Sequence, residues 1–154
     1  PGMREPHYFE DFADGQVFRS GPYRMERDAI IAFAREFDPQ PQHLGEEEAA
    51  RSQFGQLVAS GWHTAAVSMR LFIQDALPPI ARGGQGLGLE NLVWVRPVKP
   101  GDELHVEVEV LSMRPSRSRP DQGILKARII TKNQAEEVVQ STVTSALVPR
   151  RAAG

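Results

Sequence analysis

The chain contains no cysteine among its 154 residues. This absence excludes disulfide bonds, zinc sites built on thiolates and catalysis by a cysteine nucleophile. Because nothing in the chain requires an oxidising compartment, we expect the protein in the cytoplasm. The first residues, PGMREPHYFEDF, lack the apolar core of a secretory signal peptide, which agrees with that expectation.

The sequence also lacks long apolar runs, strong net charge and metal-ligand spacing. No stretch approaches the roughly 20 apolar residues of a membrane-spanning helix, so we expect no membrane partner. The formal net charge is −2 and no basic stripe is present, so we expect no nucleic-acid partner. The histidines do not follow an HExxH pattern, and we expect no metal ion.

What remains is an ordinary globular composition, with 40% hydrophobic and 25% charged residues. A chain of 154 residues with this balance is typical of one domain with its own core. We therefore predict a single domain over residues 1–154, with an N-terminal arm at 1–10 and a C-terminal tail at 149–154.

Apolar residues recur at helical spacing in three segments of the first half, which predicts helices over residues 26–37, 46–54 and 61–77. The third helix is the most apolar, and we expect it to be the buried one. Its predicted core-facing positions are Trp62, Ala65, Ala66, Met69, Phe72, Ile73 and Ala76. The glycines between residues 83 and 88 that follow it predict a flexible linker.

The second half of the chain is dominated by strand patterns. Before the helices, residues 17–25 predict a first strand that Gly21 and Pro22 interrupt. After them, segments 89–98, 103–111, 123–132 and 136–148 predict four long strands, of which 103–111 alternates strictly between apolar and polar residues. Helices followed by strands indicate an α+β fold with an antiparallel sheet.

The segment from Asp38 to Gly61 contains the candidate catalytic residues. Asp38 and His43 lie five positions apart in FDPQPQH, where Pro39 and Pro41 disfavour helix and predict a stiff, extended loop. A stiff loop can hold a carboxylate and an imidazole in one geometry, as general acid/base catalysis requires. The alternative is that Asp38 is a turn residue and His43 a structural histidine.

Several motifs in one order resemble a known family. The stretches FDPQPQH, EEEAARSQFG, LVASGWHTA and VRPVKPGDEL are similar to the MaoC-like (R)-specific enoyl-CoA hydratases and dehydratases of the hotdog superfamily. Asp38, Pro41 and His43 match the family's D-x-N-P-x-H motif, and Gly61 matches the glycine of its later H-G motif. The chain departs from the family pattern at Gln40, where the family has Asn, and at Ser60, where it has His.

The resemblance implies a hotdog fold, in which an antiparallel sheet wraps a long central helix. It also implies reversible addition of water to a trans-2-enoyl-CoA, giving an (R)-3-hydroxyacyl-CoA. Asp38 would then act as base on the attacking water, and His43 would orient that water and help to deliver a proton to C2. Coenzyme A would enter as part of the substrate, and no separate cofactor is implied.

The thioester oxygen needs hydrogen-bond donors as its negative charge builds. The first turn of a buried helix supplies unpaired N–H groups, and Gly61 lets the substrate approach closely, so we predict its N–H as the oxyanion donor. The expected substrate contacts are Gln40, Pro41, Ser60, Trp62 and His63. A structural role on the first helical turn is the alternative for His63.

Two further functions remain open at this stage. Many hotdog thioesterases carry an acidic residue on the central helix, but the one carboxylate in segment 61–77 is Asp75, near its far end. A non-catalytic acyl-CoA-binding subunit is the other alternative, because Gln40, Ser60 and Met69 depart from the family pattern. Hotdog domains pair with acyl sites near the subunit interface, so the resemblance implies a homodimer or a larger homo-oligomer.

Overall fold

The computed structural model of the chain describes residues 4–152. The ends of the predicted N-terminal arm and C-terminal tail lie outside the described residues. Within the described part, the arm is tied to the body of the protein. Phe9 belongs to the hydrophobic core, and His7 forms an isolated bridge with Ile80.

The sheet has six strands, all paired antiparallel. The order is β1-β4-β5-β6-β3, with β2 also paired to β4, so β3 forms one edge. Alternate residues of β4, from Leu104 to Val110, are buried on the inner face, as the strict alternation predicts. The strands are β1 (Val17–Arg19), β2 (Tyr23–Arg24), β3 (Gln85–Trp94), β4 (Glu103–Pro115), β5 (Gln122–Lys132) and β6 (Val138–Pro149).

Helix α4 lies against the inner face of this sheet. Val67 and Leu71 of α4 share the core with Val106 and Val108 of β4, and Ser68 of α4 is hydrogen-bonded to Thr131 of β5. This arrangement confirms the predicted hotdog architecture. The helices are α1 (Arg27–Phe37), α2 (Pro41–Leu44), α3 (Glu46–Ala50) and α4 (Gly61–Leu71), and α4 continues into a π-helical turn (Phe72–Ala76).

The predicted buried face of the central helix is wrong at four of its seven positions, which are spread along the helix. Trp62, Met69 and Ile73 are each about half exposed in the single chain and Ala66 is also exposed, whereas Thr64 and Ser68 are buried. Periodicity favours the most apolar stripe, but small hydroxyl side chains can enter a core when they find polar partners there. Phe72 and Ala76, at the far end, are buried as predicted.

The stiff loop predicted over FDPQPQH is partly wrong. Residues Asp38 to Gln40 are non-helical, but Pro41–Leu44 form one helical turn that carries His43. Pro41 occupies the start of that turn, where a missing N–H costs nothing and the fixed φ suits a helix. Pro41 therefore starts a helix beside the dyad, whereas Pro39 lies in the non-helical residues before it.

The predicted glycine linker is also partly wrong. Strand β3 begins at Gln85 and includes Gly86 and Gly88, and its pairing with β6 shifts register between those two glycines. Glycines at such irregularities are common in strands. At its other end, β3 stops at Trp94, before the predicted limit of residue 98.

Strand β3 exposes apolar side chains along its length. Leu87, Leu89 and Val93 each have about half of their surface exposed, as does Val95, which directly follows the strand. Such an edge offers unpaired backbone groups beside apolar surface, a combination that favours pairing with another strand. No helix within residues 4–152 is long and apolar enough to cross a membrane.

Candidate active site

Asp38 stands immediately after α1 and is held on both carboxylate oxygens. Its N–H donates to the Ala34 carbonyl, which closes the helix. The Gln40 amide donates to Oδ1 at 2.7 Å, and the Ser60 hydroxyl donates to Oδ2 at 2.6 Å. Two of the departures from the family pattern, Gln40 and Ser60, therefore both donate hydrogen bonds to the carboxylate.

His43 faces Asp38 from the single turn of α2. Its Nδ1 lies 2.6 Å from the Val58 carbonyl oxygen. A carbonyl oxygen can only accept a hydrogen bond, so Nδ1 is the nitrogen that carries the hydrogen. Neutral His43 then has its lone pair on Nε2, and Nε2 lies 3.4 Å from Oδ2 of Asp38. The structure thus brings together the two residues predicted as the acid/base dyad.

The pKa of Asp38 is lowered from its ordinary value. Partial burial is the largest influence and raises the pKa, but the hydrogen bonds from Ser60 and Gln40 and the charge of His43 together outweigh it. Asp38 is therefore a carboxylate at neutral pH.

Helix α4 begins at this carboxylate. Ser60 caps the helix by accepting the Trp62 N–H, and its carbonyl accepts the N–H groups of His63 and Thr64. Within the described residues, the Gly61 N–H has no acceptor. It is a free donor at the positive end of the helix dipole, as an oxyanion site requires.

The Trp94 indole packs directly on Gly61. A Cβ atom at position 61 would overlap the Trp94 ring, so only glycine fits there. Trp94 is held by a hydrogen bond from its Nε1 to Gln140 Oε1 at 3.0 Å and by edge-on contact with Trp62, with ring centroids 5.2 Å apart. Both tryptophans of the chain therefore stand at the start of α4.

These groups open on one cavity of about 510 Å³. Of the predicted site residues, five line its wall: Asp38, Gln40, His43, Gly61 and Trp62. The other three do not. Ser60 is fully buried beneath Asp38, Pro41 starts α2, and His63 turns away from the cavity.

His63 is buried in the protein interior. Its ring stacks on Phe33 of α1 with centroids 4.7 Å apart and ring planes 6° from parallel, and its Nδ1 has no hydrogen-bond partner among the described residues. Burial lowers the pKa of His63, so the imidazole is neutral. This environment corresponds to the structural alternative given for His63.

The family model described as a MaoC-like domain matches residues 11–133 of the chain. The chain belongs to the MaoC-like family. A MaoC-like dehydratase from Rhodospirillum rubrum has the same fold, with a TM-score of 0.89 and 52% sequence identity. That match covers 96% of this chain and 99% of the other.

Two curated relatives extend the comparison. The uncharacterized protein YdeM of Bacillus subtilis is 36% identical over 143 residues, which cover 92% of this chain and 98% of YdeM. A 3-hydroxybutyryl-CoA dehydratase of Methylorubrum extorquens is 32% identical over 117 residues, which cover 73% of this chain and 69% of that protein.

The sequence analysis did not predict several residues that line this MaoC-like site. Thr64, Phe54, Trp94, Arg96 and Val139 also line the cavity. Trp94 and Val139 belong to or border strands far from segment 38–61, and no local pattern indicates which strand ends meet the start of α4. Thr64 could have been found, because it lies on the turn after Gly61.

One group in the MaoC-like domain has the residue types of a metal site. The ligand atoms of His105, Glu107 and Glu136 lie within 4.8 Å of one another on the outer side of the sheet. The Lys132 ammonium lies 3.2 Å from Glu107 and 3.8 Å from Glu136, so both carboxylates already have a cationic side chain beside them. The cluster therefore forms a network of surface ion pairs.

Proposed function

We propose that this protein is an acyl-CoA hydratase or dehydratase, which adds water reversibly to a trans-2-enoyl-CoA to give an (R)-3-hydroxyacyl-CoA. The observation that carries the proposal is the pairing of Nε2 of His43 with Oδ2 of Asp38 on the cavity wall, beside the free N–H of Gly61. Family membership and the name of the Methylorubrum relative support the same reaction class.

In the proposed hydration, a water molecule binds between Oδ2 of Asp38 and Nε2 of His43. Both atoms are acceptors when His43 is neutral, so together they can orient the two protons of that water. As the water oxygen bonds to C3 of the enoyl group, the dyad removes one proton. His43 then delivers a proton to C2, and the original state of the dyad is restored.

The thioester oxygen gains negative charge as water adds at C3. We place that oxygen at the N–H of Gly61, where the helix dipole and a donor without a partner stabilise an anion. The indole of Trp94 covers Gly61 from the side, so the thioester reaches the N–H along a restricted path. This chemistry requires no metal ion or redox cofactor.

We further propose that the protein acts as a homodimer or a larger homo-oligomer. A second copy would cover two surfaces. One is formed by the exposed apolar residues of β3, and the other is the exposed stripe of Trp62 and Met69 on α4 and Ile73 on the π-helical turn after it. The cavity includes Trp62 and Trp94, which belong to these surfaces, so a partner would also restrict access to the cavity.

The first test is hydration of crotonyl-CoA, followed by loss of the conjugated enoyl absorbance, with the chirality of the product determined in a coupled assay. We expect an (R) product from the wild type. Asp38→Asn and His43→Ala should each lower kcat/KM by at least about 100-fold, the contribution typical of a general acid or base.

The same assay addresses the alternatives. A thioesterase would release free CoA thiol from saturated acyl-CoAs, which a thiol reagent detects. Asp75 is an unsuitable catalyst for that reaction, because its Oδ2 accepts the Gly21 N–H at 2.6 Å and the residue does not line the cavity. Binding of acyl-CoA without hydration or thiol release would identify a non-catalytic acyl-CoA-binding subunit.

A further inference from the structure

Thr64 places an unpaired hydroxyl in the wall of the cavity. The residue is 2% exposed and lines the same cavity as Asp38 and His43. Within residues 4–152, its hydroxyl makes no hydrogen bond, and Nδ1 of His63 is the one fully enclosed side-chain nitrogen or oxygen without a partner. The Thr64 oxygen is therefore not fully enclosed and keeps contact with open space.

The two serine hydroxyls nearest to Thr64, at the N-cap and in the body of α4, both have hydrogen-bond partners. Ser60 donates to Asp38, and Ser68 donates to the Thr64 carbonyl and pairs with Thr131 Oγ1 at 2.7 Å. Buried hydroxyls are usually satisfied in this way, since an unpaired one destabilises the folded state. An unpaired hydroxyl on a cavity wall is therefore a candidate for binding a ligand.

The position of Thr64 on the helix indicates which part of the acyl group its hydroxyl could contact. Thr64 follows Gly61 by three residues, which is roughly 4.5 Å along the helix axis, and helical side chains lean towards the N-terminus of their helix. Its side chain therefore leans towards the end of the helix that we assign to the thioester oxygen. The oxygen on C3 is separated from the thioester oxygen by only the carbons C1, C2 and C3.

We propose that the Thr64 hydroxyl binds the oxygen carried on C3, which is the attacking water in hydration and the 3-hydroxyl group in dehydration. This inference rests on the proposed function of the site. Thr64 is then a third polar contact to the reacting oxygen, besides Asp38 and His43. It selects acyl groups that carry an oxygen at C3 over saturated acyl groups of the same length.

The test uses Thr64→Val, which removes the hydroxyl and keeps the shape of the side chain. We expect an unchanged or higher Tm, because no protein hydrogen bond is lost, and a kcat/KM for crotonyl-CoA that falls about tenfold. Thr64→Ser should restore most of the activity. A Tm that falls while kcat/KM stays at the wild-type value would overturn the proposal.

Thr131→Val is the matched control, because the same substitution there removes a hydroxyl that is paired and does not line the cavity. We expect the opposite pattern for this variant, with a Tm lower by about 3 °C and kcat/KM close to that of the wild type. If both variants lose activity to the same extent, Thr64 acts through packing and the proposal is wrong.

A binding measurement separates this inference from the proposed function. Both tryptophans of the chain line the cavity, so their fluorescence reports ligand binding without turnover. Thr64→Val should weaken the binding of (R)-3-hydroxybutyryl-CoA about tenfold and leave the binding of butyryl-CoA unchanged. Equal weakening of both ligands, or no binding of either by the wild type, would refute the role of Thr64.

If the wild type binds both ligands but hydrates no enoyl-CoA, the proposed function fails. The assignment of Thr64 as a binding residue then depends on the ratio of the two affinities alone. If the wild type hydrates crotonyl-CoA and Thr64→Val leaves the ratio of the two affinities at its wild-type value, the function stands and the inference about Thr64 fails.

Discussion

The Ser60 hydroxyl has two roles, because it caps α4 by accepting the Trp62 N–H and it donates to Oδ2 of Asp38. The second bond helps to hold the Asp38 pKa below its ordinary value. Ionised Asp38 therefore stabilises the fold above the pKa it has in the unfolded chain, and this stabilisation is lost as pH falls through its folded-state pKa.

We predict that Ser60→Ala raises the Asp38 pKa and moves the acid limb of the pH profile of kcat/KM to higher pH, since catalysis needs the carboxylate. The lost cap should also lower the free energy of unfolding by about 1 kcal/mol. Ser60→Thr retains the hydroxyl and is the control. An acid limb at the same pH in Ser60→Ala and the wild type would show that Ser60 has only the capping role.

His63 gives a second prediction at the scale of one residue. Burial lowers its folded-state pKa, so the unfolded chain binds more protons between the two pKa values, and stability is lost as pH falls through that window. His63→Phe keeps a ring that can stack on Phe33 and cannot take up a proton.

We expect the free energy of unfolding of His63→Phe to fall less than that of the wild type between pH 7 and pH 5, in the range of the ordinary histidine pKa. Urea unfolding at a series of pH values measures the two slopes. Parallel slopes would show that the imidazole finds a stabilising partner when it is protonated.

Among the elements, α2 and α4 show where sequence patterns were sufficient. The resemblance to the MaoC-like motifs identified Asp38, His43 and Gly61, which lie in one short segment, whereas local sequence alone left a structural role for Asp38 and His43 open. The same reasoning failed for the face of α4, since the pattern does not distinguish an apolar stripe packed on the sheet from one exposed to a partner. It also missed Trp94, which reaches Gly61 only through the pairing of β3 with β6.

The contact between the start of α4 and the end of β3 supports a prediction about Gly61. Gly61→Ala places a methyl group within the Trp94 ring, and such overpacking typically costs about 1–3 kcal/mol. We expect urea unfolding to show this loss of stability and crotonyl-CoA hydration to fall, because the displaced ring disturbs the path to the Gly61 N–H.

The double variant Gly61→Ala with Trp94→Ala isolates the cause. The loss of unfolding free energy in the double variant should be smaller than the sum of the losses in the two single variants, because the overlap between the methyl group and the indole no longer exists. Additive effects would indicate that alanine at position 61 is tolerated by a shift of the helix instead.

At the scale of the whole molecule, the exposed edge strand β3 predicts self-association. Leu89 lies in that strand with half of its surface exposed, and Val17 of β1 has similar exposure at the opposite edge of the sheet. We expect sedimentation analysis to give at least a dimer for the wild type, and Leu89→Glu to shift the equilibrium towards monomer. The control, Val17→Glu, should leave the assembly intact.

A monomeric wild type would remove the expected role for the apolar residues of β3 and α4. If Val17→Glu dissociates the assembly and Leu89→Glu does not, the partner binds at the β1 edge instead.

Val58 connects the segment before α4 to the α2 turn that carries His43, since its N–H donates to the Gln42 carbonyl and its carbonyl accepts the hydrogen bond from Nδ1 of His43. Opening of α2 would break both bonds in one event and release His43 from Asp38. The exchange rate of the Val58 amide hydrogen with deuterium should therefore report how often His43 separates from Asp38, and hence how long the catalytic arrangement persists.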